Sequence, residues 1–348
     1  MLLTERQKVV SVQKTASPVE VRASWTRIAE PVLPFLEKVS EVLAEQVKSF
    51  EPAIGPYAHY ALTNQGKQLR PALVGLSGNA MEKLSDDLIK VAVIIEMVHL
   101  ATLVHDDVID IAEMRRSRPT LASKWGNEIA VLVGDCLFAH AMELTASFPT
   151  VEMCRIIASA TNKVCTGEIL QIQQRGNAQL RIEEYYGVLG MKTATLFALA
   201  CELGAAFTPQ YSKYRTEFHR FGWNLGIAYQ IYDDCLDLFG SERIAGKSLG
   251  TDLANGKFTL PILLAMEKAN AADQILLKNF LLPWKAEALN QIMTILAKYE
   301  TLSESKKIIE QFLEKARLEL KGVQSGRNIT ALLELTDFLS QQTQHLGE

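Results

Sequence analysis

The sequence predicts an all-α fold, a single-domain bundle of roughly ten or more helices. Three observations point to it. Apolar residues recur at three- and four-residue spacing almost without pause from Trp25 onward. No segment sustains the two-residue alternation of a half-buried strand, and no Asn-Gly or Asp-Gly pair joins two strand-like runs. Glycine (20) and proline (11) are sparse in 348 residues, so the segments between turns are long.

The helical stripes can be read directly. Val32, Leu33, Leu36, Val39, Val42 and Leu43 make one, and Leu88, Val91, Ala92, Ile95, Val98 and Thr102 another. Leu196, Leu199, Ala200 and Leu203 continue the habit, as do Ile308, Phe312, Ala316 and Leu320. Breaks fall at Pro52–Pro56, Gly75–Gly78, Arg115–Pro119, Phe148–Pro149, Arg175–Gly176, Thr208–Pro209, Gly240–Gly256 and Leu282–Pro283. Residues 1–20 read as a flexible polar lead-in and 21–348 as one domain, with neither a composition shift nor a fixed-period repeat. Only 240–260 reads as a long functional loop, polar, Gly-rich and Lys-bearing.

With 48% hydrophobic residues the chain can bury a sizeable core, and 22% charged residues is a globular proportion. A net charge of −4 argues against a nucleic-acid surface. The N-terminus lacks the apolar run of a signal peptide. The most apolar stretch, Val91–Val104, is interrupted by Glu96 and His99 and reads as a buried core helix rather than a membrane span. A cytoplasmic protein with no membrane span is expected. The cysteines, Cys136, Cys154, Cys165, Cys201 and Cys235, form no metal-type spacing and read as buried reduced thiols.

The sharpest feature is His105-Asp106-Asp107-Val108-Ile109-Asp110, at the end of an apolar helix. Asp106 and Asp110 share a helix face. Three carboxylates on one turn repel each other, which a surface tolerates cheaply but a buried helix end tolerates only with a cation. Oxygen ligands without His or Cys select a hard ion, Mg²⁺ before Zn²⁺. The pattern returns as Gln230-Ile231-Tyr232-Asp233-Asp234-Cys235-Leu236-Asp237, again after apolar helical sequence. One such triad is weak evidence; two imply facing helices that hold several Mg²⁺ ions and, through them, a polyphosphate. Cations group around them: Lys67 and Arg70, Arg115 and Arg116, Lys192, Lys247 and Lys257. Any one alone reads as a solvated surface charge, and His99 alone as a satisfied core histidine.

Five motifs taken together, GKQLRP (66–71), HDDVID with MRR (105–116), Lys192-Thr193, QIYDDCLD (230–237) and GKSLGTD through GKFTLP (246–261), resemble those of the trans-isoprenyl diphosphate synthases, the polyprenyl synthetase family, over about residues 55–265. The resemblance implies a helical bundle around a central cavity, roughly three Mg²⁺ ions with substrate bound, and a homodimer. It implies that Asp106, Asp110 and Asp233 ligate metal directly, with Asp107, Asp234 and Asp237 in support, partly through metal-bound water. Arg115, Lys192, Lys247 and Lys257 would hold an allylic diphosphate; Lys67, Arg70, His99 and Arg116 would hold isopentenyl diphosphate. Gln230 and the Thr193 carbonyl would sit near a developing carbocation, and 240–256 would act as a lid. Three positions depart from the family pattern: Ser117 for the usual Gly, Gln68 for a frequent basic residue, and Tyr229 for the usual Phe.

Product length follows by the same resemblance from the residues before the first triad. Ala101 and Thr102 are small where aromatic residues would stop the chain early, and Val98, Met97 and Ile94 behind them are not aromatic. From Ala101 to Ile94 is about 10 Å of helix, so the floor lies deeper or on a neighbour, with Leu137 and Phe138 as candidates. A linear product longer than geranylgeranyl diphosphate is expected, hexaprenyl to decaprenyl, handed to a membrane after synthesis. The alternatives are geranylgeranyl diphosphate itself, a terpene cyclase, a head-to-head squalene-type synthase, or a non-catalytic partner subunit. The plain second DDCLD disfavours the cyclase, the GKQLRP motif with His99 the head-to-head enzyme, and the two intact triads the partner subunit.

Overall fold

The computed structural model describes residues 25–63, 66–82, 84–240 and 249–347. The expected lead-in and Lys247 lie outside this range, as do residues 241–248 of the expected lid. Along the chain run α1 (Leu33–Glu45), α2 (Gly55–Thr63), α3 (Leu69–Ser77), α4 (Asp86–Ile109), α5 (Leu121–Trp125), α6 (Asn127–Thr145), α7 (Glu152–Gln173) and α8 (Ile182–Leu189). A π-helical turn, Gly190–Ala194, leads into α9 (Thr195–Ala206) and α10 (Arg215–Phe239). The second half continues with α11 (Thr251–Ala254), α12 (Leu260–Lys268), α13 (Ala271–Leu281), α14 (Leu289–Lys298), α15 (Thr301–Glu319) and α16 (Arg327–Gln344).

Hydrophobic pattern sets the position of each helix. α4 and α9 are apolar all round and therefore central, whereas α15 has the one-sided pattern of an outer helix, burying Ile309, Leu313 and Ala316. α10 packs between α9 and α15, α3 lies against α4 and α9, and α6 covers α4. The α9–α10 crossing is a backbone contact: a Cβ at Gly222 would lie 2.5 Å from the Phe197 carbonyl oxygen. The expected break at Gly75–Gly78 falls at its far end: α3 runs through Gly75, seated on the Phe35 ring, to Ser77, and Gly78 caps it. Two stretches, Asp86–Ile109 and Ile182–Ala206, are long and apolar enough to cross a membrane, yet 72% and 83% of their most apolar windows are buried in the protein. The thiols divide: Cys201 and Cys235 are buried as expected, but Cys154 and Cys165 are exposed, so the expectation of uniformly buried cysteines is corrected.

One small sheet was not foreseen. β1 (Met114–Arg115) and β2 (Arg118–Pro119) pair antiparallel, with Arg115 opposite Arg118. Two-residue strands are too short to show alternation. Arg116 and Ser117 form the turn with φ of 52° and 61°, the left-handed geometry usually given to Asn-Gly. The hairpin is clamped from outside: Tyr60 Oη donates to the Pro119 carbonyl at 2.7 Å, and the Arg118 guanidinium lies 4.5 Å over the Tyr60 ring. Thr120 then caps α5 by accepting from the Ser123 amide.

The Ser117 conformation generates a prediction. Glycine has no Cβ to clash at φ near 60°, so Ser117→Gly should stabilise the protein by about 1 kcal/mol. Chemical denaturation would check it; an unchanged or lowered midpoint contradicts the strain.

Candidate active site

The ends of α4 and α10 face one cavity of 1330 Å³, which also reaches α1, α3, α7 and α16. Helical spacing brings Glu96, His99, Thr102, Asp106 and Asp110 from α4 to its wall, and Tyr229, Gln230 and Asp233 from α10. Each helix thus places its first aspartate at the cavity by the same i, i+3, i+4 geometry.

The α4 carboxylates are matched by cations. Asp110 accepts from Arg175 Nη2 and from Lys257 Nζ, both at 2.8 Å. Lys192 Nζ donates to Gln171 at 3.0 Å, pairs with Glu168, and stands 3.8 Å from Asp106. Burial pushes Asp106 up to about 6, against Lys192, with Glu168 and Asp110 adding to the rise. Burial pulls Lys192 down, but Asp106 and Glu168 outweigh it and its pKa is raised.

On α10, Asp234 accepts from Tyr185 Oη at 2.6 Å and from Gln230 Nε2 at 2.9 Å, and Thr193 donates its hydroxyl to Gln230 at 2.8 Å. Burial first and the Asp252 charge second push Asp234 up to about 8. Thr193 and Lys192 sit in the π-helical turn, a bulge that alters which carbonyls are used within the helix.

A second positive cluster lies in the same cavity. Lys67, Arg70, His99 and Arg116 all line it. Burial lowers the pKa of Lys67, and Asp233 opposes this. His99 is pushed well down by burial and then by Arg70 and Arg116, so it is neutral at pH 7. Arg116 lies against Gly66, where a Cβ would fall 2.5 Å from the guanidinium carbon. The glycine of GKQLRP therefore makes room for an arginine fifty residues on. Gln68, between Lys67 and Leu69, is left-handed at φ 49° and donates to Ser40 Oγ at 2.9 Å.

Several expectations need correction. Asp237 is fully buried and turned from the cavity; it accepts from the Thr251 hydroxyl at 2.6 Å and the Asp252 amide at 3.1 Å, so it anchors α11 rather than facing a metal. Asp107 is also buried, accepting from Arg115 Nε at 2.6 Å, which makes it the orienter of Arg115. Of the residues expected to set product length, Thr102 and Phe138 line the cavity. Ala101, Val98 and Leu137 are buried in the core without lining the cavity, as are Met97 and Ile94.

Sequence reasoning missed Glu168 and Gln171 on the last turns of α7 and Arg175 just past its end, spaced i, i+3 and i+7; that polar stripe was a usable signal. It also missed Tyr185, which nothing in the sequence distinguishes from other aromatic residues, and the role of Glu96, noted only as an interruption.

The donor set fits a hard cation: Asp106, Asp110, Asp233 and Asp234 line one cavity, and burial with the charges of neighbouring carboxylates raises Asp106 to about 6 and Asp234 to about 8, a cost that a cation would offset. Among the described residues no three His, Cys, Asp or Glu side chains form a cage by themselves. Magnesium suits such a half-built site, since it keeps few protein ligands and takes the rest from phosphate or water.

Comparison with known proteins agrees with this geometry. Residues 51–298 match the polyprenyl synthetase family. The chain is 33% identical over 307 residues to heptaprenyl diphosphate synthase component 2 of Bacillus subtilis (strain 168), covering 88% of each chain. Its fold superposes on a decaprenyl diphosphate synthase from Rhodobacter capsulatus with TM-score 0.85 at 28% identity, covering 92% of this chain and 99% of that one. It superposes on a polyprenyl synthase from Caulobacter crescentus CB15, solved with calcium and isoprenyl diphosphate, with TM-score 0.83 at 29% identity, covering 94% and 98%. The chain therefore belongs to the polyprenyl synthetase family and is a prenyl transferase with an all-α fold.

Proposed function

We propose that the chain condenses an allylic diphosphate with isopentenyl diphosphate, head to tail and with trans double-bond geometry, with Mg²⁺, into a linear polyprenyl diphosphate longer than geranylgeranyl. The observation that carries this reading is two anion sites in one cavity, an aspartate-and-lysine side and a separate Lys67–Arg70–Arg116 cluster. Asp106, Asp110 and Asp233 would hold the metal. Bound Mg²⁺ supplies charge neutralisation for the departing diphosphate. Lys192, Lys257 and Arg115 add cationic donors to the same diphosphate. Gln230 and the Thr193 carbonyl present oxygen dipoles toward the allylic cation. Lys67, Arg70 and Arg116, with neutral His99, hold isopentenyl diphosphate so that its double bond meets that cation. The proton lost at the new bond goes to the released diphosphate. The walls exclude water that would trap the cation.

Product length depends on the cavity beyond Thr102, which Phe138 also lines, its ring packed on that of His105 with centroids 5.6 Å apart. We place the enzyme as a cytoplasmic homodimer acting through one domain over 21–348, with exposed Val131 and Leu132 on α6 as an apolar face for the second copy. The Bacillus relative is named as one component of its synthase, so a partner subunit is the second reading.

Incubation with labelled isopentenyl diphosphate, farnesyl diphosphate and Mg²⁺ tests the reaction. A chelator-sensitive ladder of linear prenols is expected; no incorporation with any allylic primer refutes the reading, unless an added second component restores it. Asp106→Asn and Asp233→Asn should each lower kcat by about a thousandfold, whereas Asp237→Asn, which keeps its bond to Thr251, should cost about tenfold or less. Protons compete with metal at Asp106, so apparent Mg²⁺ affinity should fall as pH drops through about 6, and excess Mg²⁺ should restore the rate. Thr102→Phe should shorten the product; Ala101→Phe should instead overpack the core, lowering stability by about 1–3 kcal/mol. Product analysis beside thermal unfolding separates the two.

A further inference from the structure

The isopentenyl subsite contains a carboxyl group that the reaction above does not use. Glu96 precedes His99 by one turn of α4 and is 2% exposed. Its Oε2 is buried without a hydrogen-bond partner, yet the side chain lines the cavity shared by Lys67, Arg70, His99 and Arg116. Burial raises its pKa, and the charges of Arg70 and then Arg116 oppose that rise. Arg70 Nε is likewise buried and unpartnered, its guanidinium lying 5.0 Å over the Phe197 ring. Glu96 therefore acts on the two guanidiniums through space rather than by a bidentate pair, an arrangement costly for a buried carboxylate.

A negative charge where a diphosphate must bind weakens that binding, so its use lies in release. When the new carbon–carbon bond forms, the lengthened chain carries the diphosphate that arrived on the isopentenyl unit. That diphosphate occupies the basic cluster, and it must cross to the aspartate side before the next unit enters. A subsite of uncompensated cations would hold it there.

We propose that Glu96 is a positioning residue of a particular kind, a counter-charge that acts through Arg70 and Arg116 to keep the subsite's grip reversible, so that each elongated diphosphate leaves it promptly. The proposal rests on the assignment of this cluster to isopentenyl diphosphate.

The test compares wild type with Glu96→Gln, measuring isopentenyl diphosphate binding by titration calorimetry without metal or primer, and then steady-state elongation. Binding should tighten about tenfold, as expected when one like charge at this range is removed. KM for isopentenyl diphosphate should fall with it, while kcat for repeated addition falls and the first condensation, followed in a single turnover, keeps its rate. Structural damage would instead raise KM. Weaker or unchanged binding, or a raised KM, overturns the proposal. If Glu96→Gln does not fold, Glu96→Asp decides: its charge is drawn back by one methylene, so binding should tighten by a smaller factor, and no tightening overturns the idea. If wild type itself does not bind isopentenyl diphosphate, the subsite assignment falls and the counter-charge with it; if wild type binds and the variants bind no tighter, only the counter-charge falls.

Discussion

The structure turns on one electrostatic problem: carboxylates from two helix ends are buried against the same cavity. Burial and neighbouring carboxylates oppose their ionisation, raising Asp106 to about 6 and Asp234 to about 8. The protein answers with cations drawn from distant parts of the chain, Arg115 on Asp107, Lys192 beside Asp106, and Arg175 with Lys257 on Asp110. These contacts bring the hairpin, the π-helical turn, the end of α7 and the segment before α12 to one place. The amide of Gly176 donating to the Gly256 carbonyl at 2.8 Å fastens the last two together. In the proposed function, the cations that offset the aspartates would also grip a diphosphate.

Most of the fold was legible because the signal is periodic and long. α4, α9, α10 and α15 each repeat their apolar pattern over several turns, and no other element type produces that pattern. The hairpin was hidden because two-residue strands carry no period and its turn uses Arg-Ser. Aspartates at i, i+1 and i+4 announced the site, but spacing alone did not say which member faces inward. On α10 the i+4 residue, Asp237, turns away to hold α11, while the corresponding Asp110 on α4 faces the cavity. That difference depends on α11, whose packing on the end of α10 is a tertiary contact that local spacing does not encode. The expected length-setting positions divide by helix geometry: Ala101 and Thr102 are neighbours in sequence but a hundred degrees apart around the helix, and of the two Thr102 lines the cavity.

Glycines do their work here mainly by absence of bulk. Gly222 lets α10 meet α9 backbone to backbone, and Gly66 leaves the space that the Arg116 guanidinium fills. The first sets the angle of the helix carrying the second triad; the second joins the loop before α3 to the hairpin. Both concern the placement of charge at a distance from the glycine itself, which is why they read as unremarkable positions in the sequence.

The hairpin carries a further meaning. Arg115 points to the aspartate side, paired with Asp107, while Arg116 points to the basic cluster over Gly66. These consecutive residues belong to opposite halves of the cavity, and a single planar peptide of about 3.8 Å from Cα to Cα separates them. Because Arg116 is locked in a left-handed turn and Arg115 in a paired strand, neither can drift relative to the other. In the proposed reaction the stiffest short unit of the polypeptide would thus serve as a ruler between two phosphate groups, holding their spacing constant while the hydrocarbon attached to one of them lengthens with every addition.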